Sequence, residues 1–574
     1  MGIPVVTALV KAARRGGRRM LAALTSLPHT IGWAGVVVLA LLLLAAALRL
    51  KGVSWGLPYS YQDPDERVVL LHALRIARGH PDPRFFYYPS MFFDMVGIAV
   101  WIASHFISPH GAGLPSPATF LTDPTPYYLI GRGLAVACGV ASVYLVYRLG
   151  KEAFSRPVGL LAALFLAVEP LSVRYSHVAV TDVPATMFGL LALLLFVRAA
   201  RRGSARTLLA GALAAGLATG TKYNLGMLFL PGTVACWYVY RDDLGGRRLW
   251  RLSLRALRRV ALPMLGAFLV CTPFAVLDPT RFVRDFYRQN QIVANGWLGF
   301  ENVHNGYWYN LSVNLVGSLG VLLVALGLIG LVLALARRTR ADLVLAPYVI
   351  VYYLYVSSWH ALMDRYLLPI VPVLIVLAVR ACAALAGAPV FRRRALRVAV
   401  VAAAAALLLG AIVLPARASI RYSRSLSGTD VRTVAKDWLE AHLPANAVIA
   451  EEQYGPPLVP RHDLRYFTRA RLTTRTYHIY KLRLPLPGGH DPKAHLSFLI
   501  RHKVTYVVLS SGVDSRVLAA RAVYPAQVAF YGELARYGRV IATFAPRPGE
   551  HGPVITVYRL PATLTMAVLR RAST

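Results

Sequence analysis

Apolar runs about as long as a bilayer is thick recur along this chain from Ile31 almost to Arg417, and basic linkers separate most of them. A spanning helix needs ~20 mostly apolar residues, roughly 17–25, so the repeat of such runs makes lipid the first candidate solvent. Composition agrees. Hydrophobic residues make up 56% of the 574 and mean hydropathy is +0.51, whereas soluble chains average about 45–50% apolar with glycine counted. Only the stretch 417–574 has soluble composition.

A formal net charge of +37 would suit a nucleic-acid ligand in a soluble protein, because a basic face releases counterions from phosphates. The positions of the charges exclude that reading. Lys11, Arg14, Arg15, Arg18 and Arg19 precede the first apolar run, and Arg241, Arg247, Arg248, Arg251, Arg255, Arg258 and Arg259 crowd one linker. Basic clusters beside spans set topology by the positive-inside rule and attract anionic membrane lipids.

With the basic segment 1–30 inside, a retained first helix at 31–50 delivers the chain to the outer face. Further spans are expected at 127–147, 158–173, 183–199, 207–221, 225–240, 260–277, 308–336, 342–358, 365–385 and 397–416. Alternation then puts Lys151 and Arg156, Arg201, Arg202 and Arg206, the seven arginines above, Arg337, Arg338 and Arg340, and Arg392 to Arg394 all inside. The linkers 171–182, 222–224, 278–307 and 359–364, the long loop 51–126 and the C-terminal region 417–574 fall outside. The segment 92–106 is apolar enough to enter the membrane, yet one crossing there would invert everything downstream. It is re-entrant, interfacial or half of a pair of crossings, which sets the count at 11–13.

The outer C-terminal region is expected to be an α/β domain. Thr429 and Asp430 precede a helical pattern of Val431, Val434, Ala435, Trp438 and Leu439. Strands are expected at 447–450, 505–510, 540–544 and 554–558, and a helix near 525–537. Cys138, Cys236, Cys271 and Cys382 all lie in apolar segments, so no disulfide framework or thiolate metal site is implied.

Polar residues gather on the outer side. Pro64 suits a helix start, so Asp65 and Glu66 would occupy a first turn where the helix dipole favours carboxylates; an acidic cap is the plain alternative to a catalytic pair. Asp182 closes the linker that holds His177, which is otherwise a solvated turn. Lys222 and Arg365 stand at outer helix ends, where snorkelling alone would account for them. Taken together they suit a lipid phosphate, with cations holding an anionic leaving group and an acid acting as base.

Asp65-Glu66, Phe85-Phe86-Tyr87-Tyr88-Pro89-Ser90, Ser176-His177 through Thr181-Asp182-Val183-Pro184, Thr221-Lys222-Tyr223-Asn224 and Asp364-Arg365-Tyr366-Leu367-Leu368-Pro369 resemble, in order and sidedness, the bacterial glycosyltransferase 39 family of the GT-C class. That family stands beside protein O-mannosyltransferases and the aminoarabinose transferases that modify lipid A. The likeness covers about 30–420. It implies a GT-C-like transmembrane domain at 31–416 in a bacterial-type cell membrane, and a polyprenyl-phosphate sugar as donor. It further implies Asp65 as the base, supported by Glu66, with Asp182 as a second acid of the site. Lys222, Arg365 and Arg132 would hold the donor phosphate, and His177, Tyr88, Tyr223 and His360 are candidate substrate contacts. Inversion at the anomeric carbon is expected. The acceptor could be lipid, polysaccharide or protein; no metal is indicated, although His177 near Asp182 leaves a divalent ion open. The rival readings are a lipid or glycan flippase, which would place ionisable groups mid-membrane, and a non-catalytic scaffold for envelope assembly.

Overall fold

The computed structural model of the chain describes residues 32–59, 63–107, 120, 123–243, 248–386, 394–461, 473, 475–486 and 491–562. The basic segment 1–30, Arg247, Arg392 and Arg393 lie outside the described residues. Each of the apolar segments expected to span contains helix. Among the described residues four helices are long and apolar enough to cross alone, Gly32–Leu50, Thr125–Ala153, Asp182–Arg202 and Ala402–Ser425; two bent pairs raise this to 6. Shorter helices such as Ala205–Thr221 and Phe229–Tyr240 complete a bundle around one continuous apolar core, reaching from Leu41 to Leu408.

The bends have local causes. Arg156–Ala167 meets Pro170–Ser176 at 56°, because Glu169 breaks the helix and its carboxylate accepts the N–H groups of Leu171 and Ser172. Arg49, wholly buried near the end of the first span, donates to the carbonyls of Leu166 and Ala167 at the break. The expected single span 308–336 is instead two arms, Gly306–Leu319 and Val321–Arg337, at 115°. Gly320 turns the corner at φ +79, a backbone region open to glycine at little cost.

The segment 92–106 resolves as a helix, Met91–Ile102, ending in one wide turn at Ala103–Ile107. At ~1.5 Å per residue it falls short of the ~30 Å hydrocarbon core. Phe92, Phe93 and Val96 bury against the helix Pro64–Ala77, while Ile98, Trp101, Ile102 and Phe106 stay exposed.

The basic linkers meet at one end of the bundle: Arg340 donates to the carbonyls of Ala200 and Arg201, and Glu152 pairs with Arg198 and Arg202. The C-terminal region builds a five-stranded sheet from β1 (Val448–Glu451), β2 (His478–Lys481), β3 (Tyr506–Ser510), β4 (Arg539–Phe544) and β5 (Ile555–Arg559), in the order β2-β1-β3-β5-β4. β1 runs parallel to both β2 and β3, and β5 antiparallel to β3 and β4. The short edge strand β2 is the one missing from the sequence reading. Asp430 caps the helix Val431–His442 as expected.

Candidate active site

The site begins with a cap. Asp63, in extended conformation, accepts the N–H groups of Asp65 at 3.0 Å and Glu66 at 3.1 Å, and Pro64 opens the helix Pro64–Ala77. Asp65 and Glu66 are successive helical residues and so point about 100° apart at ~3.6 residues per turn. They reach different surroundings. Asp65 Oδ2 accepts from Arg365 Nη1 at 2.7 Å. Glu66 is wholly buried, takes both Nε and Nη2 of Arg132 at 2.6 and 2.8 Å, and accepts the Ala179 N–H at 2.9 Å.

Arg365 sits in a tight turn, Asp364–Leu367. Its neighbour Asp364 pairs with Arg174 and accepts the Tyr175 hydroxyl at 2.8 Å, fixing the turn against the helix Pro170–Ser176. Asp182 starts the helix Asp182–Arg202 and forms a buried ion pair with Lys222, which ends the helix Ala205–Thr221. The Lys222 ammonium also stands 4.9 Å from the centre of the Tyr366 ring, within cation–π range.

Two chambers meet here. One, of about 480 Å³, is walled by Met264, Leu265, Phe268, Phe282 and Phe286 and carries Asp182, Lys222, Tyr223 and Arg365 at its polar end. The other, of about 690 Å³, holds Asp63, Asp65, Tyr175, Trp297, Asn314 and, from the C-terminal region, Tyr454 and Arg516. Tyr87, Tyr88, Gln289, Arg365 and Tyr366 line both. Arg365 therefore faces an apolar cleft on one side and the Asp65 carboxylate on the other.

Residues 130–276 match the family model described as dolichyl-phosphate-mannose-protein mannosyltransferase. The whole fold is similar to that of the apo oligosaccharyltransferase of Archaeoglobus fulgidus, at 13% identity and TM-score 0.53 over 94% of this chain and 75% of that one. It is also similar to ArnT from Cupriavidus metallidurans bound to undecaprenyl phosphate, at 15% identity and TM-score 0.50 over 93% and 99%. A third likeness is to AglB of Archaeoglobus fulgidus with an inhibitory peptide and a dolichol-phosphate, at 14% and 0.51 over 93% and 75%. No curated protein matches in sequence. The chain has a GT-C glycosyltransferase fold.

Within this GT-C fold, a multi-pass membrane architecture, Asp65, Asp182, Lys222, Arg365, Tyr88 and Tyr223 all border the joined chambers. The other candidates do not. Arg132 spends four N–H groups on Glu66 and on the carbonyls of Val53 and Trp55, the latter at 2.7 and 2.8 Å, and lines neither chamber. His177 is buried with both ring nitrogens on carbonyls, Val173 at 2.8 Å and Lys51 at 3.0 Å. His360 is exposed in a separate cleft beside His304 and Tyr307. Among the described residues no three His, Cys, Asp or Glu side chains are grouped to hold a metal ion. Sequence reading missed Tyr87, Gln289 and Tyr366, of which Tyr366 was within reach as the neighbour of Arg365. Nothing in the sequence flagged Tyr454 or Arg516.

Crowding has a cost at the cap. Burial pushes the Asp63 carboxyl up to about 7, with the charges of Asp65 and Glu66 adding to it and the Glu66 N–H and Arg365 opposing. A carboxyl raised on folding gives stability that is full below its ordinary value near 3.8 and lost as pH rises through about 7. The thermal midpoint should accordingly drop between pH 5 and pH 8, and Asp63→Asn, which still caps, should flatten that slope. Identical slopes in both proteins would remove this role from Asp63.

Proposed function

We propose that the chain transfers a sugar from a polyprenyl-phosphate donor to an acceptor hydroxyl at the extracytoplasmic membrane surface, with its N-terminal segment cytoplasmic and its region 417–574 outside. The observation that carries the reading is Arg365, which lines both an apolar cleft suited to a polyprenyl chain and the chamber that holds Asp65. The donor tail would lie along Phe268, Phe282 and Phe286, its phosphate between Lys222 and Arg365. Asp65 takes the proton of the acceptor hydroxyl, whose oxygen attacks the anomeric carbon. The bond from that carbon to the phosphate oxygen breaks, and the polyprenyl phosphate leaves with its electron pair. Lys222 and Arg365 meet the charge that develops there. Attack from the face opposite the phosphate gives inversion.

Asp182 holds Lys222 toward the phosphate, while Glu66 and Arg132 act through position. Polyprenyl-type phosphates occupy two of the similar structures, ArnT with undecaprenyl phosphate and AglB with a dolichol-phosphate, which supports a donor of this class.

The test uses purified full-length chain in detergent with undecaprenyl-phosphate-linked labelled sugars. Label should move to a hydroxyl acceptor with release of undecaprenyl phosphate. Lys222→Gln should raise the donor KM by about tenfold or more, the scale of one charge-assisted contact, and Lys222→Arg should recover part of it. Passage of intact labelled lipid across a vesicle bilayer without transfer would favour a flippase instead.

A further inference from the structure

The region 417–574 roofs the Asp65 chamber in a specific way. In an open sheet with parallel strands, ligands bind outside the carboxyl ends of those strands. β1 and β3 are a parallel pair inside the sheet, and the chain that leaves their carboxyl ends carries Tyr454, on a loop, and Arg516, on the short helix Asp514–Ala519, into the chamber. Tyr454 pays for its place with backbone strain: its φ is +62, a left-handed conformation costly for a tyrosine.

A buried network holds the strained loop. Glu452, following β1, accepts the Ser510 N–H at 2.9 Å and the Tyr531 hydroxyl at 2.5 Å, and the Ser510 hydroxyl donates to the Tyr454 carbonyl at 3.2 Å. Burial pushes Glu452 up to about 8, against those hydrogen bonds, so a full charge is not needed for it to serve as this post. The Tyr454 ring lies on Gly512, where even a Cβ would stand 3.0 Å from it. Burial pushes the Tyr454 phenol up, with Arg516 opposing and the charges of Asp65 and Asp63 adding to it.

Arg516 has no carboxylate partner among the described residues; its side chain crosses Gly299 and reaches the Tyr454 ring at 6.0 Å. The loop it crosses is bolted to the region 417–574 by Tyr524 on Glu301 at 2.5 Å and Asn302 on the Ala519 carbonyl at 2.8 Å. The roof is thus fixed over Asp65.

We propose that the acceptor is a carbohydrate hydroxyl, and that Tyr454 and Arg516 bind that carbohydrate above Asp65. The inference rests on the transferase reading of Asp65. The chamber offers aromatic faces from Tyr87, Tyr88, Trp297, Phe300 and Tyr454 for the C–H faces of sugar rings, with Asn314, Gln289 and Arg516 for hydroxyls. One recurring way to hold an extended peptide is to add it to an open strand edge. The sheet's edges are β2 and β4, whereas among the described residues of this region the chamber is lined from segments that follow the inner strands β1 and β3.

The experiment offers full-length chain a labelled undecaprenyl-phosphate sugar with either a panel of octyl oligosaccharides or a serine- and threonine-containing peptide. Oligosaccharide should be labelled and peptide not. Arg516→Ala and Tyr454→Gly should raise acceptor KM by roughly tenfold or more, with no matching rise in donor KM. Tyr454→Gly relieves the strained backbone but also removes a ring packed against the cluster of Leu298, Val513 and Val517, so KM is compared at a temperature where thermal melts show each variant to be native, which separates lost contact from lost fold. Labelling of the peptide alone, or acceptor KM unmoved by both variants, overturns the proposal. A wild-type chain that cleaves no donor overturns the transferase reading itself, an outcome told apart by the release of undecaprenyl phosphate.

Discussion

Asp65→Asn is expected to lower kcat for sugar transfer by about 10²–10⁴-fold, the usual contribution of a general base, with little change in donor KM. The reasoning starts from shape. Asparagine keeps an oxygen where Asp65 Oδ2 now accepts from Arg365 at 2.7 Å, so the guanidinium keeps a partner and its aim. What the amide lacks is a lone pair basic enough to take the acceptor proton. The donor phosphate is assigned to Lys222 and Arg365, neither of which is altered, so donor affinity should hold. Steady-state kinetics with varied donor separates the two effects. A kcat within a few-fold of wild type would take the base away from Asp65 and leave the two-chamber arrangement without its assigned chemistry.

Much of this arrangement was legible because charge and hydropathy report depth. Basic linkers marked one end of the bundle, and the same alternation put Asp65, Asp182, Lys222 and Arg365 at the other, where they do converge. Sidedness says nothing about direction around a helix. The family resemblance implied roles for Glu66 and Arg132, and in the fold these two face each other and line neither chamber. The His177 ring likewise turns to the carbonyls of Val173 and Lys51. Helix breaks were also hidden, since Gly320 and Glus such as Glu169 look like ordinary members of their segments until the backbone around them is seen to turn. The roof was least legible. Tyr454 and Arg516 are 62 residues apart in sequence and meet only because β1 and β3 are neighbours in the sheet.

Removing either half of the Glu66–Arg132 pair should destabilise the protein by ~3–5 kcal/mol, the scale for stranding one partner of a buried ion pair. Both side chains are almost without solvent contact, at 0% and 1% exposure, so the remaining charge cannot hydrate in place. Arg132 also ties the helix Thr125–Ala153 to the carbonyls of Val53 and Trp55, and Glu66 ties the helix Pro64–Ala77 to Ala179. Four segments around the site share this one clamp. Arg132→Met should therefore lower the thermal midpoint strongly, while Glu66→Gln together with Arg132→Met should recover part of the loss, because no lone charge is left buried. Activity should follow fold: at a temperature where the double variant is native, its donor KM should stay near wild type if Arg132 holds no phosphate. A Glu66→Gln protein with an unshifted midpoint but a kcat as low as that of Asp65→Asn would reverse the assignment and return Glu66 to the chemistry.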